Sequence, residues 1–574
     1  MRAKQGGQWM ELSYRDLADR IQDLSIGLLE LGIKPGDRVA ILSENRPEWA
    51  IADYACLAAR CTDVPIYPTL PAKQAEYNLA DSGAVAVFVS GRQQLEKVLA
   101  VRERLPALRY IIAFDQEATG AGVSSLEQVY ARGRAARARH TSWRADALGV
   151  KPSELATLLY TSGTTGDMKG VMLTHGNIAS NVTTCCTLFS FTEQDECLSF
   201  LPLSHIFERM FGHYSMFNSG VLINYAENVD TVAADMQRWR PTLMASVPRL
   251  YEKIYGRVLD AVRAGSAIRQ RLFFWGKRVG EAAVEQRLAG RRLSPALAAQ
   301  LVVADRLVFA KLRARTGGRV RFFISGGAPL SADIAKFFHA AGMPILEGYG
   351  LTETSPVMAV NTFEHLRLGT VGRPIPRVEI KIAPDGEIIT RGPNVMVGYY
   401  NKPQATAEAL DGDGWFRTGD IGMLDADGFL RITDRKKDLI VTAGGKNIAP
   451  QPIESLAKTC KFVSNAVMLG DRRPFPIMLV VPNLETLKAW AAQQGLPTGE
   501  VEHLLALPEV RRKMQEEVQS TLRDLAGFER PKKLVLLPRD FSVEAGELTP
   551  TLKVKRRVVE QHHRAAVEAL YAEL

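Results

Sequence analysis

Residues 160–171 read YTSGTTGDMKGV, and the rest of the chain is arranged around that string. Ahead of it, residues 155–160 (LATLLY) form a short apolar run of the kind that makes a buried strand. Thr161, Ser162, Gly163, Thr164, Thr165 and Gly166 follow, and Lys169 stands just beyond them. Glycines let backbone amides converge on one point, hydroxyls add donors, and a lysine adds a movable positive charge. Together they suit the phosphates of a nucleotide. A polar turn between two strands is the plainer reading of any Ser/Thr/Gly loop. The string is not GxxxxGK(S/T), because no Ser or Thr follows Lys169, so an ordinary P-loop kinase or ATPase is disfavoured.

The chain has 574 residues, too many for one ordinary core, so two or more domains are expected. Hydrophobic residues make up 46% and charged residues 24%, which excludes a disordered chain. The formal net charge of +9 suits anionic substrates or an acidic membrane surface. No nucleic-acid motif accompanies it, so no nucleic-acid partner is expected. The six cysteines include no CxxC pair, which points to a reduced, cytoplasmic setting. No apolar run is long enough for a spanning helix, and the first ten residues (MRAKQGGQWM) lack the apolar stretch of a signal peptide.

Ser13, with Asp16 three places on, makes a capping box for a helix carrying Leu17, Ile21, Leu24, Leu28 and Leu31. Residues 39–42 (VAIL), 85–89 (VAVFV) and 110–114 (YIIAF) read as buried strands with helical patterns between them. That alternation predicts α/β architecture with a covered parallel sheet. The Arg/Ala-rich stretch 131–144 reads as a surface connection.

Further motifs follow the loop. Residues 201–209 (LPLSHIFER) hold His205, a residue type more often structural than functional. Residues 251–315 are a long basic helical stretch containing RLFFWGKRVG. Its plain reading is a helical hairpin with core aromatics, and its sharper one is contact with an anionic membrane around residues 273–278. Ser325, Gly326, Gly327, Ala328 and Pro329 follow a predicted strand, where glycines let a flat ring lie on the backbone. Residues 347–354 read EGYGLTET, with Glu347, Gly348, Tyr349 and Gly350 leading to Thr352 and Glu353. Tyr349 offers an aromatic face for a base, Thr352 a hydroxyl for a phosphate and Glu353 a hard oxygen for Mg²⁺.

Taken in this order, the three strings resemble the AMP-forming acyl-adenylating superfamily, which includes acyl-CoA synthetases, luciferases and peptide-synthetase adenylation domains. The HxFER form and the 251–315 insert look most like the long-chain fatty-acid–CoA ligases. In that family several tens of residues commonly precede the segment at 12–18, so this chain is expected to lack first elements of its relatives.

The resemblance implies a large α/β N-terminal domain, 1–435, with parallel sheets covered by helices and a small β-rich subdomain at about 369–435. A small mobile α+β C-terminal lid, 436–574, would follow. It implies ATP and CoA as co-substrates, a fatty acid as substrate, and Mg²⁺ held by Thr161 and Glu353. By the same resemblance His205 lies between nucleotide and carboxylate, and Asp420 of the string WFRTGD holds the ribose. Arg435 touches the nucleotide, Lys437 is the hinge, and Gly444, Gly445 and Lys446 meet CoA. Lys553, in LTPTLKVKRR, completes the adenylation site alongside Lys169, although Leu552 stands where many relatives have glycine. The cytoplasm or the inner face of the cell membrane is the implied location, and a homodimer is compatible with it.

Two readings compete within the superfamily: an aryl- or medium-chain acid–CoA ligase, which the insert argues against, and a fatty-acyl–AMP ligase, which the GGKN turn argues against. A third, from another class, is an inactive nucleotide-binding membrane scaffold. The joint presence of Lys169, Glu353, Asp420 and Lys553 speaks against that one.

Overall fold

The computed structural model describes residues 1–5, 7–118, 120–161, 168–443, 446–542, 545–549 and 554–572. Two large sheets organise the first 400 of these positions. The first is built on the parallel strands Glu196–Ser199, Leu243–Ser246, Phe322–Ser325 and Ile345–Gly350. Their register sets Ser246 beside Ser325 and Ser325 beside Glu347, so three carboxyl ends open in one place. Ligands bind at such strand ends in open α/β sheets.

The second sheet carries Arg38–Leu42, Thr62–Ile66, Ala86–Val89 and Tyr110–Ala113 in parallel, and all but Thr62–Ile66 fall on the predicted apolar runs. Beyond Thr62–Ile66 it continues through Leu155–Thr161, Lys169–Thr174 and Gly398–Tyr399, the last two pairings being antiparallel. Thr161 and Lys169 are paired neighbours. The phosphate-loop string therefore connects a hairpin, whereas a P-loop passes from a strand into a helix.

A four-stranded antiparallel sheet follows, with strands Glu379–Ile382, Glu387–Arg391, Phe416–Leu424 and Leu430–Arg435. After it come a small sheet, Val463–Leu469, Ile477–Pro482 and Leu534–Leu536, and helices such as Pro450–Ala457 and Pro508–Thr521. Apolar side chains from Ile440 onward close clusters of their own, around Met468, Val480 and Met514 and around Leu479 and Val559.

The first helix, Tyr14–Glu30, starts on the expected Ser13–Asp16 capping box. The stretch 131–144 differs from expectation: its first half belongs to the helix Leu126–Ala136, which packs on Tyr14–Glu30. The contact depends on two glycines. A Cβ on Gly27 would lie 2.3 Å from the carbonyl oxygen of Val129, and one on Gly133 1.8 Å from that of Asp23. An arginine-rich composition conceals such backbone packing.

The basic stretch 251–315 is helical as expected, in Pro248–Arg263, Ala267–Leu288, Pro295–Ala304 and Ala310–Ala314. Its aromatics do not form an exposed patch. Phe273 is 5% exposed, and Phe274 and Trp275 pack against the same core. The exposed large apolar side chains among its described residues are instead Ile268, Leu288, Val302, Val303 and Leu307. Among the described residues no helix is long and apolar enough to cross a membrane.

Candidate active site

Lys169 opens its strand opposite Thr161, at the two ends of the glycine- and threonine-rich hairpin. Ser162, Gly163, Thr164, Thr165 and Gly166 lie outside the described residues. The Lys169 ammonium sits 4.7 Å from the ring centroid of Tyr399, within cation–π range. The Tyr399 hydroxyl donates to Glu353 Oε1 at 2.9 Å. Thus the lysine and the acid expected at the phosphates are brought together through a tyrosine. Thr352 begins the 3₁₀ turn Thr352–Thr354 that carries Glu353. Burial pushes the Glu353 carboxyl above its usual range, while the bond from Tyr399 pulls it back.

A second group adjoins the first. Tyr349 donates its hydroxyl to Asp420 Oδ2 at 2.6 Å, and Arg435 Nε lies 3.5 Å from Asp420 Oδ1. Asp420 and Arg435 are direct cross-strand neighbours. Burial pushes the Tyr349 phenol up, and the adjacent Asp420 carboxylate adds to the shift. The ring is 7% exposed and locked by its hydroxyl. The expected base platform and ribose acid are therefore one hydrogen-bonded unit.

Glu347, two residues earlier on the same strand, is pushed up to about 8 by burial. Its Oε1 has no hydrogen-bond partner among the described residues. Bonds from the Leu330 and Gly369 backbones work against the shift and tie the acid to the end of the glycine segment.

That segment meets the His205 region at Gly326. A Cβ there would lie 3.2 Å from the ring of Phe207, so the ring rests against bare backbone. His205 Nδ1 accepts the Phe207 amide at 3.1 Å, which orients the half-buried imidazole. The next residues, Glu208–Ser215, form a π-helix, a departure from α geometry common at functional sites. Gly327, Ala328 and Pro329 are exposed beside Gly326.

Lys437 is exposed in the turn after Leu430–Arg435. Its neighbour Lys436 pairs with Asp385 at 2.7 Å and Glu387 at 3.0 Å. Lys446 lies over the ring of Phe528, 5.7 Å from its centroid. Gly444, Gly445 and Lys553 lie outside the described residues.

Sequence reading missed Tyr399 and the buried cluster around Arg209. Tyr399 sits in a short GYY stretch with no chemical signature, and only pairing with Val171 brings it to the site. The Arg209 guanidinium is fully buried and pairs with Asp53 and Asp63, with Nη1 2.9 Å from Thr157 Oγ1. The FER string contains that arginine, but its two partners lie about 150 residues upstream.

The two contact groups, Lys169–Tyr399–Glu353 and Tyr349–Asp420–Arg435, link the two large sheets and the four-stranded sheet, and the chain that carries them is of the adenylate-forming class of enzymes. The AMP-binding enzyme family profile matches residues 2–400, and the AMP-binding enzyme C-terminal domain profile matches residues 437–574. The chain belongs to this family, within its branch of long-chain fatty-acid–CoA ligases. It is 37% identical to the long-chain-fatty-acid–CoA ligase FadD15 of Mycobacterium bovis, over 98% of this chain and 93% of that one. It is 34% identical to the peroxisomal long chain acyl-CoA synthetase 7 of Arabidopsis thaliana, over 99% and 82%. The fold is similar to that of the adenylation domain of a carboxylate reductase from Mycobacterium chelonae. That match has a TM-score of 0.76 at 23% identity and covers 98% of this chain and 85% of that one.

Proposed function

We propose that the chain converts long-chain fatty acids to acyl-CoA in two steps at one site. In the first step a carboxylate oxygen of the fatty acid attacks the α-phosphorus of ATP and pyrophosphate leaves, giving acyl-AMP. In the second the CoA sulfur, having released its proton, attacks the acyl carbon and AMP leaves. No protein nucleophile is required. The protein contributes position and charge. Lys169 and the hairpin amides face the phosphates, Tyr349, Asp420 and Arg435 hold the nucleoside, and His205 with Phe207 separates nucleotide from acid. Lys553 bridges the carboxylate and α-phosphate. Gly444, Gly445 and Lys446 serve the thiol step.

Mg²⁺ is commonly held by one or two protein oxygens plus substrate phosphates. The Glu353 carboxylate, one oxygen fixed by Tyr399, and the Thr161 hydroxyl fit that donor set. When bound, the ion spreads the phosphate charge. We place the boundary between the large and small domains at 435/436, with Lys437 as the pivot by which 436–574 presents Lys553 in the first step and the Gly444–Gly445 turn in the second.

The observation that carries this reading is the continuous chain of contacts from Lys169 through Tyr399 to Glu353, beside the linked Tyr349, Asp420 and Arg435. A scaffold that had lost activity has no need to keep that geometry. The membrane contact is assigned to the exposed apolar face at Val302, Val303 and Leu307, flanked by Arg306 and Lys311. The test is a panel of acids from acetate to long acyl chains, with pyrophosphate release and CoA consumption both followed. Release that depends on long-chain acid and precedes CoA loss supports the reading. Preference for acetate or benzoate, or pyrophosphate release without any CoA loss, overturns it.

A further inference from the structure

Lys169 and Glu353 carry opposite charges toward one site, yet no ion pair joins them among the described residues. Tyr399 occupies the space between. Its ring is 8% exposed, its hydroxyl binds Glu353 Oε1, and its face lies 4.7 Å from the Lys169 ammonium. The backbone around it is fastened to both loops at once. The Met396 amide donates to the Glu353 carbonyl at 2.9 Å. The Tyr400 amide donates to the Gly170 carbonyl at 2.8 Å, one residue past Lys169. The Tyr399 amide donates to Thr406 Oγ1 at 2.9 Å, which fixes the residue from a third side.

From this geometry we infer that Tyr399 is a positioning residue for adenylation: it holds Glu353 and Lys169 apart so that each stays available to the nucleotide. An ammonium and a carboxylate left adjacent in a sheltered site attract each other strongly. A direct pair would cost the lysine its phosphate and the acid its metal. An aromatic ring interposed between them holds the cation through its quadrupole, which leaves its N–H donors free to reach outward. The hydroxyl in turn occupies one carboxylate oxygen and aims the other. The two halves of the side chain thus serve the two charges separately.

This inference rests on the acyl-CoA ligase reading, and its test separates the two. Tyr399→Phe keeps the ring and removes the hydroxyl, whereas Tyr399→Leu removes both. Three readouts are compared with wild type: affinity for Mn²⁺ in the presence of a non-hydrolysable ATP analogue, by calorimetry; fatty-acid-dependent pyrophosphate release; and thiol loss from supplied acyl-AMP and CoA. Tyr399→Phe is expected to weaken Mn²⁺ several-fold while retaining most affinity for the analogue alone. Tyr399→Leu is expected to weaken both and to slow pyrophosphate release at least tenfold more than thiol loss. Equal damage to both half-reactions with Mn²⁺ affinity unchanged assigns the tyrosine to packing and overturns the inference. So does a Tyr399→Phe variant indistinguishable from wild type in Mn²⁺ affinity. Wild-type protein that releases no pyrophosphate overturns the ligase reading, whereas the Mn²⁺ comparison still judges Tyr399.

Discussion

The Asp434 carboxylate accepts the backbone amide of Gln451 at 3.3 Å, joining the last strand before Lys437 to the first helix after it. Burial pushes Asp434 up to about 7, from an ordinary value of 3.8. Its proton is therefore held in this arrangement across a range in which the free side chain is ionised. The stabilisation is complete below pH 3.8 and is lost as pH rises toward 7. Asp434→Asn, which stays neutral, should match wild type in melting temperature below pH 3.8 and exceed it increasingly as the pH rises to 8.5. Melting curves that stay parallel across that interval would remove Asp434 as the pH-dependent contact.

Glu353→Gln keeps the shape of the side chain and discards its charge. Adenylation should fall by about 10²-fold or more, the usual cost of losing one preorganised electrostatic contact. Raising Mg²⁺ should restore only part of it. A variant that releases pyrophosphate at the wild-type rate means that the metal is held elsewhere.

Lys553→Ala and Lys437→Pro should damage opposite halves of the reaction. Losing the lysine should slow adenylation about 10²–10³-fold, with much less effect on thiol loss from supplied acyl-AMP. A fixed φ at the pivot should do the reverse by hindering rotation. Equal damage by Lys553→Ala, with Lys555→Ala sparing thioester formation, shifts the assignment to Lys555. If Lys437→Pro leaves both halves intact, the pivot is at another position.

Arg209 tests the frame behind the site. Removing it strands Asp53 and Asp63 without a counter-charge in a fully buried setting. Arg209→Ala should cost about 3–5 kcal/mol, read as a lowered denaturant midpoint. Adding Asp53→Asn and Asp63→Asn should recover much of that loss, since the buried charges leave together. If the triple variant is no more stable than Arg209→Ala, charge is not the reason for the cost.

Chain length and the lipid surface can be probed separately. Each buried methylene is worth about 0.8 kcal/mol, so specificity should climb about fourfold per methylene until the acyl site is full. Anionic vesicles should bind the protein weakly and release it at high salt. Val303→Glu should abolish that binding, whereas substitutions around the buried Phe273 should act only through stability. Binding that survives Val303→Glu places the surface elsewhere.

The parts legible in the sequence were those whose chemistry is local. The hairpin string, the EGYGLTET segment and Asp420 announce themselves through residue type and order, and the buried strands through short apolar runs. What stayed hidden depends on pairing between distant stretches. Tyr399 is an ordinary aromatic until its strand pairs with Lys169–Thr174. Arg209 is one cation among many until the fold buries it with two aspartates. The Gly27–Gly133 contact was masked by the arginines around it, and the aromatics at 273–275 face inward because their helix packs against Ala332–Ala340.

The ion pairs from Lys436 to Asp385 and Glu387 fasten the chain one residue before the proposed pivot. The part of the small domain beyond Lys436 would therefore start from a fixed origin in both of the proposed poses. Tethering of this kind sets a local concentration through geometry instead of affinity. For a short linker that concentration is of millimolar order. The small domain can then bind the large one only weakly in each pose and still be present when its step comes due. Strong docking in either pose would slow the exchange. A severed 437–574 fragment supplied in trans should accordingly need millimolar amounts to restore turnover.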